Sequence, residues 1–240
     1  MPLVAHLGEL RRRLAVSLAA LAVGVGVSFA FAGRAWDLLV RPLEPSLAAR
    51  GADRLAILAP TEGVQVWLQV SLWGGVLLAA PVVLHQAWAF VAPGLYPREQ
   101  RVALPIVVAS WLLAMAGVAF GWIALLPQAA GLFLAAVPDG VEPVLSMRAW
   151  LRTATTLLGS CGLAFQVPLV ILLLARLGIV DGRDLVRGFR FALLGLFALA
   201  AVLTPPDVLS QVLLALPLVL LYGVGVVVAA LASTKGRDRA

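Results

Sequence analysis

Six long stretches without an acidic or basic side chain constrain the fold of this 240-residue chain more than any other feature. They cover residues 14–33, 63–97, 102–138, 153–175, 191–206 and 208–234. An ionised side chain at the centre of a bilayer costs on the order of 3 kcal/mol, so runs of this length are typical of membrane spans. The chain is 62% hydrophobic and 12% charged, with a mean hydropathy of +1.02. Soluble domains are about half apolar and a quarter charged, so the sequence predicts an integral membrane protein.

The spans are predicted to be helices, which makes the fold class all-α. Backbone amides must be paired inside lipid, and no segment alternates like a strand of a membrane barrel. We predict one domain over residues 1–240 with six transmembrane helices, the last two of them short. A surface helix at residues 1–13, where leucines recur at helical spacing, precedes the spans. The expected spans are about 14–33, 64–90, 102–126, 152–175, 189–203 and 208–231.

Prolines set several of these limits. Pro93 and Pro97 should close the second helix near Phe90, and Pro127 should bend or end the third. The fifth helix, from Phe189 to Leu203, would be roughly 22 Å long against a hydrocarbon thickness of ~30 Å. Two interpretations stay open: a re-entrant hairpin that never crosses, or a pair of short helices that thin the bilayer locally.

The basic residues predict the orientation of the chain. Six crossings place both termini on one side, together with twelve of the eighteen basic residues, and the positive-inside rule makes that side cytoplasmic. The twelve are Arg11, Arg12, Arg13, Arg98, Arg101, Arg176, Arg183, Arg187, Arg190, Lys235, Arg237 and Arg239. A cleaved secretory signal is the alternative for the N-terminal run, but about twenty uncharged residues exceed the usual core of such a signal.

Two glutamates are expected at the cytoplasmic interface, each beside arginines. Glu9 lies just before the first span and Glu99 just after the second. Carboxylates in a partly desolvated site bind guanidinium through two parallel hydrogen bonds, so the pair could form a receptor for arginine. The alternative is that each glutamate pairs with its own neighbours, Glu9 with Arg12 or Arg13 and Glu99 with Arg98 or Arg101. The physics of exposed charges alone favours the alternative.

Five short segments together resemble the TatC family, the multispanning receptor subunit of the twin-arginine protein translocase. They are His6-Leu7-Gly8-Glu9-Leu10-Arg11; Pro81 with Gln86 through Tyr96 and Glu99; Phe165-Gln166-Val167-Pro168; Thr204-Pro205-Pro206-Asp207 with Ser210-Gln211; and Leu221-Tyr222. The segments stand in the family's order and spacing across nearly the whole chain.

The resemblance implies a subunit that recognises twin-arginine signal peptides of folded export proteins and nucleates the export complex, driven by the proton-motive force. Its expected location is the cytoplasmic (inner) membrane, with both termini cytoplasmic. Expected partners are the signal peptides, TatA-type and TatB-type single-span subunits, the lipid bilayer and further copies of the chain. The signal-peptide-binding residues it implies are Glu9, Glu99, Leu10, Arg11, Phe90, Pro93, Gly94, Leu95 and Tyr96.

Three polar residues in or near the spans form a second predicted group, for intramembrane or partner contacts. Gln166 stands where the family has Glu or Gln, and we favour an interhelical hydrogen bond for it. Asp207 and Gln211 lie at the start of the last helix, where a carboxylate suits a helix N-terminus. Gly223 departs from the family, which typically has glutamate there, so inferences about that carboxylate do not transfer.

Two pairs of small residues predict close helix contacts. Gly117 with Gly121 in the third helix and Ala22 with Gly26 in the first are each four residues apart. Such spacing lets two helix backbones approach closely in a membrane, and packing within the chain explains the pairs as well as contact between subunits does.

Other function classes fit the sequence less well. We predict no cofactor, no metal site, no nucleic-acid binding and no enzymatic activity. A lone cysteine, two histidines outside any metal-binding pattern and the lack of a nucleophile elbow or P-loop motif are the reasons. The alternative function is a small-solute secondary transporter. The missing internal repeat and the absence of an ionisable residue at the membrane midplane weigh against it.

Overall fold

The structure is a computed structural model that describes residues 3–49, 51, 55–91, 103–138, 141, 144–176, 179–204 and 208–237. All regular structure in these ranges is helical, and the only β pairing within them is an isolated bridge between Ala56 and Ser146. Five helical segments are long and apolar enough to cross a membrane: Leu7–Ala30, Glu62–Phe90, Pro105–Ala135, Met147–Ala175 and Val208–Ala230. A shorter apolar helix covers Phe189–Leu203. The predicted all-α, multi-span fold class is confirmed.

Eleven α-helices form the described chain. They are α1 (Leu3–Ala30), α2 (Ala32–Val40), α3 (Glu44–Ala48), α4 (Glu62–Val91), α5 (Ala103–Phe120), α6 (Leu126–Ala135), α7 (Met147–Ala164), α8 (Val167–Arg176), α9 (Gly182–Arg187), α10 (Phe189–Leu203) and α11 (Val208–Arg237). A π-helical turn, Gly121–Leu125, joins α5 to α6. The chain divides into two compact units, which are described separately.

Unit 1 comprises Met1–Arg41, Arg54–Leu112 and Val144–Leu151, and the packing of α1 on α4 dominates it. The two helices approach backbone to backbone at glycines: a Cβ added to Gly24 would lie 2.7 Å from the carbonyl oxygen of Gly75. A Cβ on Gly75 would lie 2.6 Å from the backbone nitrogen of Val25. Because only glycine lets two helices pack this closely, these residues fix how α1 lies along α4.

A small apolar cluster packs around the first turns of α4 in the same unit. Val66 and Val70 of α4 are buried against Ala32 of α2 and Leu151 of α7. The indole nitrogen of Trp150 donates a hydrogen bond to the backbone oxygen of Leu39 at 2.9 Å. The cluster and this bond hold α2 and the first turns of α7 to the beginning of α4.

Unit 2 comprises Pro42–Asp53, Leu113–Pro143 and Arg152–Ala240, and its core lies along α11. Leu214 and Leu218 of α11 are fully buried with Cys161 of α7 and Ala200 of α10. The hydroxyl of Tyr222 donates to the backbone oxygen of Leu185 at 2.9 Å, which ties α11 to α9. Hydrophobic contacts and a few interhelical hydrogen bonds thus hold this unit together.

The structure confirms a close contact within the chain for one of the two predicted small-residue pairs, whereas contact of the other pair with a further subunit stays a prediction. In unit 2 a Cβ on Gly117 would lie 2.5 Å from the backbone oxygen of Cys161, and one on Gly121 would lie 3.0 Å from Leu158. A Cβ added to Gly26, in contrast, would meet nothing within 4 Å. The contact in α1 is made by Gly24 and the buried Ser28, each two positions away from Gly26 on the helix.

The structure corrects the limits of two predicted helices at the ends of the chain. Residues 3–13 do not form a separate helix, because α1 runs without a break for 28 residues from Leu3 to Ala30. The run contains no proline, and the arginines and leucines of its first half favour helix as strongly as the apolar residues that follow. The last helix is not short: α11 is 30 residues long and continues through Pro217, so only α10, with 15 residues, is short.

Prolines change the third and fourth helices in ways that the sequence predicts incompletely. Helical structure continues past Pro127 to Ala135 and does not end at residue 126. The π-helical turn just before Pro127 widens the helix where the proline ring would clash with a preceding carbonyl. The predicted fourth helix is interrupted by a turn at Phe165 and Gln166, since Pro168 has no amide hydrogen for the carbonyl one turn earlier and its ring would clash with that carbonyl.

Candidate functional site at the Glu9 end of helix α4

Glu9 forms an ion pair with an arginine of its own helix. Arg13, one turn further along α1, donates from Nε to the Glu9 Oε1 oxygen at 3.1 Å, and its Nη2 donates to the same oxygen. The pair has the i, i+4 spacing that brings two side chains together on a helix surface. For Glu9, the structure therefore confirms the interpretation that it pairs with a neighbouring arginine, here Arg13.

The pair also contacts α4. The third guanidinium nitrogen, Nη1 of Arg13, donates to the side-chain oxygen Oε1 of Gln86 at 3.5 Å. The side chains of Arg13 and Glu9 are 22% and 28% exposed, so both are mostly shielded from solvent. The glycine contacts between α1 and α4 fix the two helices and so bring Arg13 and Gln86 together.

Residues around this pair combine apolar surface with hydrogen-bonded anchors. Leu10 is 43% exposed, the neighbouring Arg11 and Arg12 are exposed, and Phe90 is half-buried near the end of α4. The indole nitrogen of Trp88 donates to the hydroxyl of Ser110 at 2.7 Å, which fixes this end of α4 to α5. An accessible apolar surface therefore lies beside a shielded carboxylate that already binds a guanidinium group.

Several predicted site residues lie outside the described residues. They are Glu99, Pro93, Gly94, Leu95 and Tyr96 of the predicted signal-peptide site, and Asp207 of the second group. The structure therefore leaves the expected approach of Glu9 and Glu99 as a prediction.

The two remaining polar residues of the second group lie in unit 2. The side-chain nitrogen of Gln211 donates to the backbone oxygen of Phe197 at 3.2 Å and joins α11 to α10. Gln166 is half-buried in the turn between α7 and α8, where its backbone oxygen accepts from the amides of Leu169 and Val170 at 3.0 Å. These backbone bonds place Gln166 directly before the first residue of α8, and the predicted interhelical bond of its side chain remains a prediction.

The opposite end of α4 contains a buried carboxylate that the sequence did not single out as a site. Glu62, the first residue of α4, is 3% exposed. It accepts hydrogen bonds from the backbone amides of Leu58 at 2.7 Å, Ala59 at 3.3 Å and Arg148 at 2.8 Å, and from the hydroxyl of Ser146. The only signal in the sequence was an acidic residue opening an apolar run, because Ser146 is 84 residues away.

A short backbone pairing surrounds the Glu62 carboxylate. The amide of Ala56 donates to the backbone oxygen of Leu145 at 2.8 Å, and the amide of Met147 donates to the oxygen of Ala56 at 3.1 Å. Together with Glu62, these bonds join the loop before α4 to the start of α7. Glu62 therefore acts as a structural anchor within unit 1.

Comparison with known proteins shows matches along nearly the whole chain. Residues 5–217 match the family described as Sec-independent protein translocase protein (TatC). The chain is similar to the TatC proteins of Azotobacter chroococcum mcd 1, with 42% identity over 94% of this chain and 88% of that protein, and of Escherichia coli K12, with 36% identity over 99% and 92%. A solved structure described as the twin arginine translocase receptor TatC superposes with a TM-score of 0.83 at 33% identity, covering 95% of this chain and 99% of that one.

Proposed function

Because the chain belongs to the TatC family of Sec-independent protein translocase proteins, we propose that it recognises the paired arginines of twin-arginine signal peptides on folded export proteins. One observation carries this proposal: the Glu9 carboxylate, mostly shielded, accepts two hydrogen bonds from a guanidinium group. The Glu9 carboxylate therefore lies in a partly shielded position in which it binds a guanidinium group, the group that a peptide arginine presents.

Two carboxylates would bind the two peptide arginines. Glu9 on α1 takes one guanidinium, and Glu99, eight residues beyond the end of α4, takes the other. Each planar guanidinium offers parallel donors that match a carboxylate, whereas a lysine ammonium is a point charge. Recognition therefore depends on geometry as well as on charge, and a peptide with two lysines should bind poorly.

Apolar residues beside the carboxylates would bind the part of the signal peptide that follows its arginines. Leu10 follows Glu9 on α1 and Phe90 lies one turn beyond Gln86 on α4, and in the sequence Pro93, Gly94, Leu95 and Tyr96 come between α4 and Glu99. Arg11 is exposed on α1 and, with Leu10, completes the set of residues that the family resemblance implies for signal-peptide binding.

The charges in the loops indicate which side of the membrane the proposed site faces. With both termini and twelve basic residues on the cytoplasmic side of the inner membrane, Glu9 and Glu99 face the compartment in which folded substrates are made. Single-span subunits of the TatA and TatB types and further copies of this chain would assemble on the membrane-spanning helices, and the proton-motive force would drive transport.

The test is crosslinking of a twin-arginine signal peptide to the full-length protein and to the Glu99→Gln variant. Glutamine has nearly the same shape as glutamate and cannot form the charged pair, so crosslinking should be lost while membrane insertion is unchanged. Unaltered crosslinking would overturn the receptor proposal. Transport of a small solute by the protein alone in liposomes would instead favour a secondary transporter, which the comparisons with known proteins do not support.

A further inference from the structure

Arg13 occupies the place that a peptide arginine would take. Its guanidinium bonds with Nε and Nη2 to Glu9 Oε1 and with Nη1 to Gln86 Oε1, so all three nitrogens have acceptors. One acceptor lies on its own helix and the other on α4. The contact is therefore part of the tertiary structure of unit 1 and not only a pair along one helix.

The neighbouring arginines do not share this environment. Arg11 and Arg12 are exposed, whereas Arg13 is only partly accessible. The three side chains carry the same charge and follow one another in sequence, so the difference comes from the direction in which each leaves α1. Only Arg13 has the combination of i, i+4 spacing to Glu9 and proximity to Gln86.

A shielded carboxylate without a partner is costly, since its hydrogen bonds to water have been lost. Arg13 removes this cost when no peptide is bound. Arg13 bonds to Oε1 of Glu9, so a peptide guanidinium that needs both carboxylate oxygens for two parallel bonds can form them only if Arg13 leaves. The gain in binding free energy is then the difference between two similar interactions. A single peptide arginine therefore gains little at Glu9.

We propose that Arg13 is an intramolecular competitor that holds Glu9 until a signal peptide displaces it, an inference that rests on the proposed function. Replacing Arg13 by a peptide arginine at Glu9 changes the free energy little. The net free energy of peptide binding must therefore come from the second arginine at Glu99 and from the apolar contacts. Arg13 thus makes the receptor require a pair of arginines. It is a specificity-determining residue that acts by occupying the site.

The test measures the affinity of fluorescent synthetic signal peptides for the full-length protein in detergent. Three peptides are compared, with an arginine pair, with one arginine and one lysine, and with two lysines. Arg13→Gln removes the competitor, and Arg12→Gln is the matched control because it removes the same charge one residue away. Arg13→Lys keeps the charge but replaces the planar group with an ammonium.

Relative to Arg12→Gln, Arg13→Gln should bind the arginine-pair peptide about fivefold more tightly, the size expected for a partly shielded charge pair. The affinity of the peptide with one arginine should rise by a larger factor, so that the ratio between the affinities of the two peptides falls. Arg13→Lys should also tighten binding, by less. If Arg13→Gln and Arg13→Lys both bind no more tightly than Arg12→Gln, the competitor role is wrong.

Glu9→Gln separates this inference from the function on which it rests. If Glu9→Gln weakens binding of the arginine-pair peptide while Arg13→Gln has no specific effect, the receptor function stands and the competitor is overturned. If Glu9→Gln leaves binding unchanged, the proposed recognition by Glu9 fails, and the competitor role fails with it.

Discussion

A glutamate lies at each end of α4, Glu62 as its first residue and Glu9 on α1 beside the pair formed with Arg13 and Gln86, but the donors that surround the two carboxylates differ. Glu62 accepts from three backbone amides and one serine hydroxyl, all fixed by the fold, and is 3% exposed. Glu9 accepts from one long arginine side chain and is 28% exposed. Backbone donors cannot leave without local unfolding, whereas a side-chain donor can be exchanged. The first arrangement stabilises structure, and the second suits recognition.

The Glu9 arrangement depends on the packing of α1 against α4, and breaking that packing should have the largest effect on the protein. Gly24→Val should destabilise the protein by about 2 kcal/mol or more, because the new side chain would overlap the backbone at Gly75. Gly26→Val, on the same helix with nothing within 4 Å of its Cβ, should change stability by less than about 0.5 kcal/mol. Unfolding in mixed detergent micelles measures both, and equal effects would contradict the close approach of the two helices.

Replacing the fixed carboxylate should have the next largest effect. Glu62→Gln turns two acceptor oxygens into one and places an amide group against backbone donors, so Tm should fall by about 5 °C or more. Peptide affinity should not change at temperatures where the variant is folded. Glu44→Gln is the control, since Glu44 is exposed in the first turn of α3. A Tm for Glu62→Gln within a degree or so of this control would show that the network contributes little.

Salt should affect the interactions of the two carboxylates differently. Raising ionic strength from 0.1 M to 1 M shortens the screening length from about 10 Å to about 3 Å and weakens exposed charge interactions most. Affinity for the twin-arginine peptide should therefore fall as salt is added, while the Tm difference between Glu62→Gln and the wild type should stay nearly constant. Peptide binding that is independent of salt would show that apolar contacts dominate recognition.

The smallest effect is expected from the hydrogen bond that anchors the Glu9 end of α4. Ser110→Ala removes the acceptor of the Trp88 indole and should cost about 1 kcal/mol or less, in the range of interhelical bonds in membranes. Ser71→Ala is the control, because Ser71 donates to the backbone oxygen of Trp67 within its own helix. Unfolding of both variants in micelles tests this, and a larger loss for Ser71→Ala would contradict the assigned anchor.

Much of the fold could be predicted because a membrane-spanning helix can be recognised from a local run of uncharged residues. The length and limits of α10, Phe189–Leu203, were predicted correctly, and prolines follow its last residues in the sequence. The family was also predicted correctly, from five short segments, and the comparisons confirm it. The predicted limits of a helix were wrong where a local pattern had two interpretations. The leucine stripe of residues 3–14 fits a surface helix as well as the start of a longer helix.

The parts that sequence could not supply depend on contacts between distant residues. Gly26 and Gly24 are equivalent in a search for small-residue spacing, and only the position of α4 shows that Gly24 is the buried one. The donors to Glu62 come from residues 58–59 and 146–148, a separation that no local pattern reveals. Gln86 was noted as part of a family motif, but its bond to Arg13, 73 residues away, needed the structure.

Photocrosslinking from probes at Leu10 and Tyr96, next to Glu9 and near Glu99, tests the central claim most directly. A signal peptide with its arginine pair should crosslink from both positions, and the same peptide with two lysines should lose both crosslinks. Equal crosslinking of the two peptides, or a crosslink from only one position, would contradict recognition of paired arginines by Glu9 and Glu99.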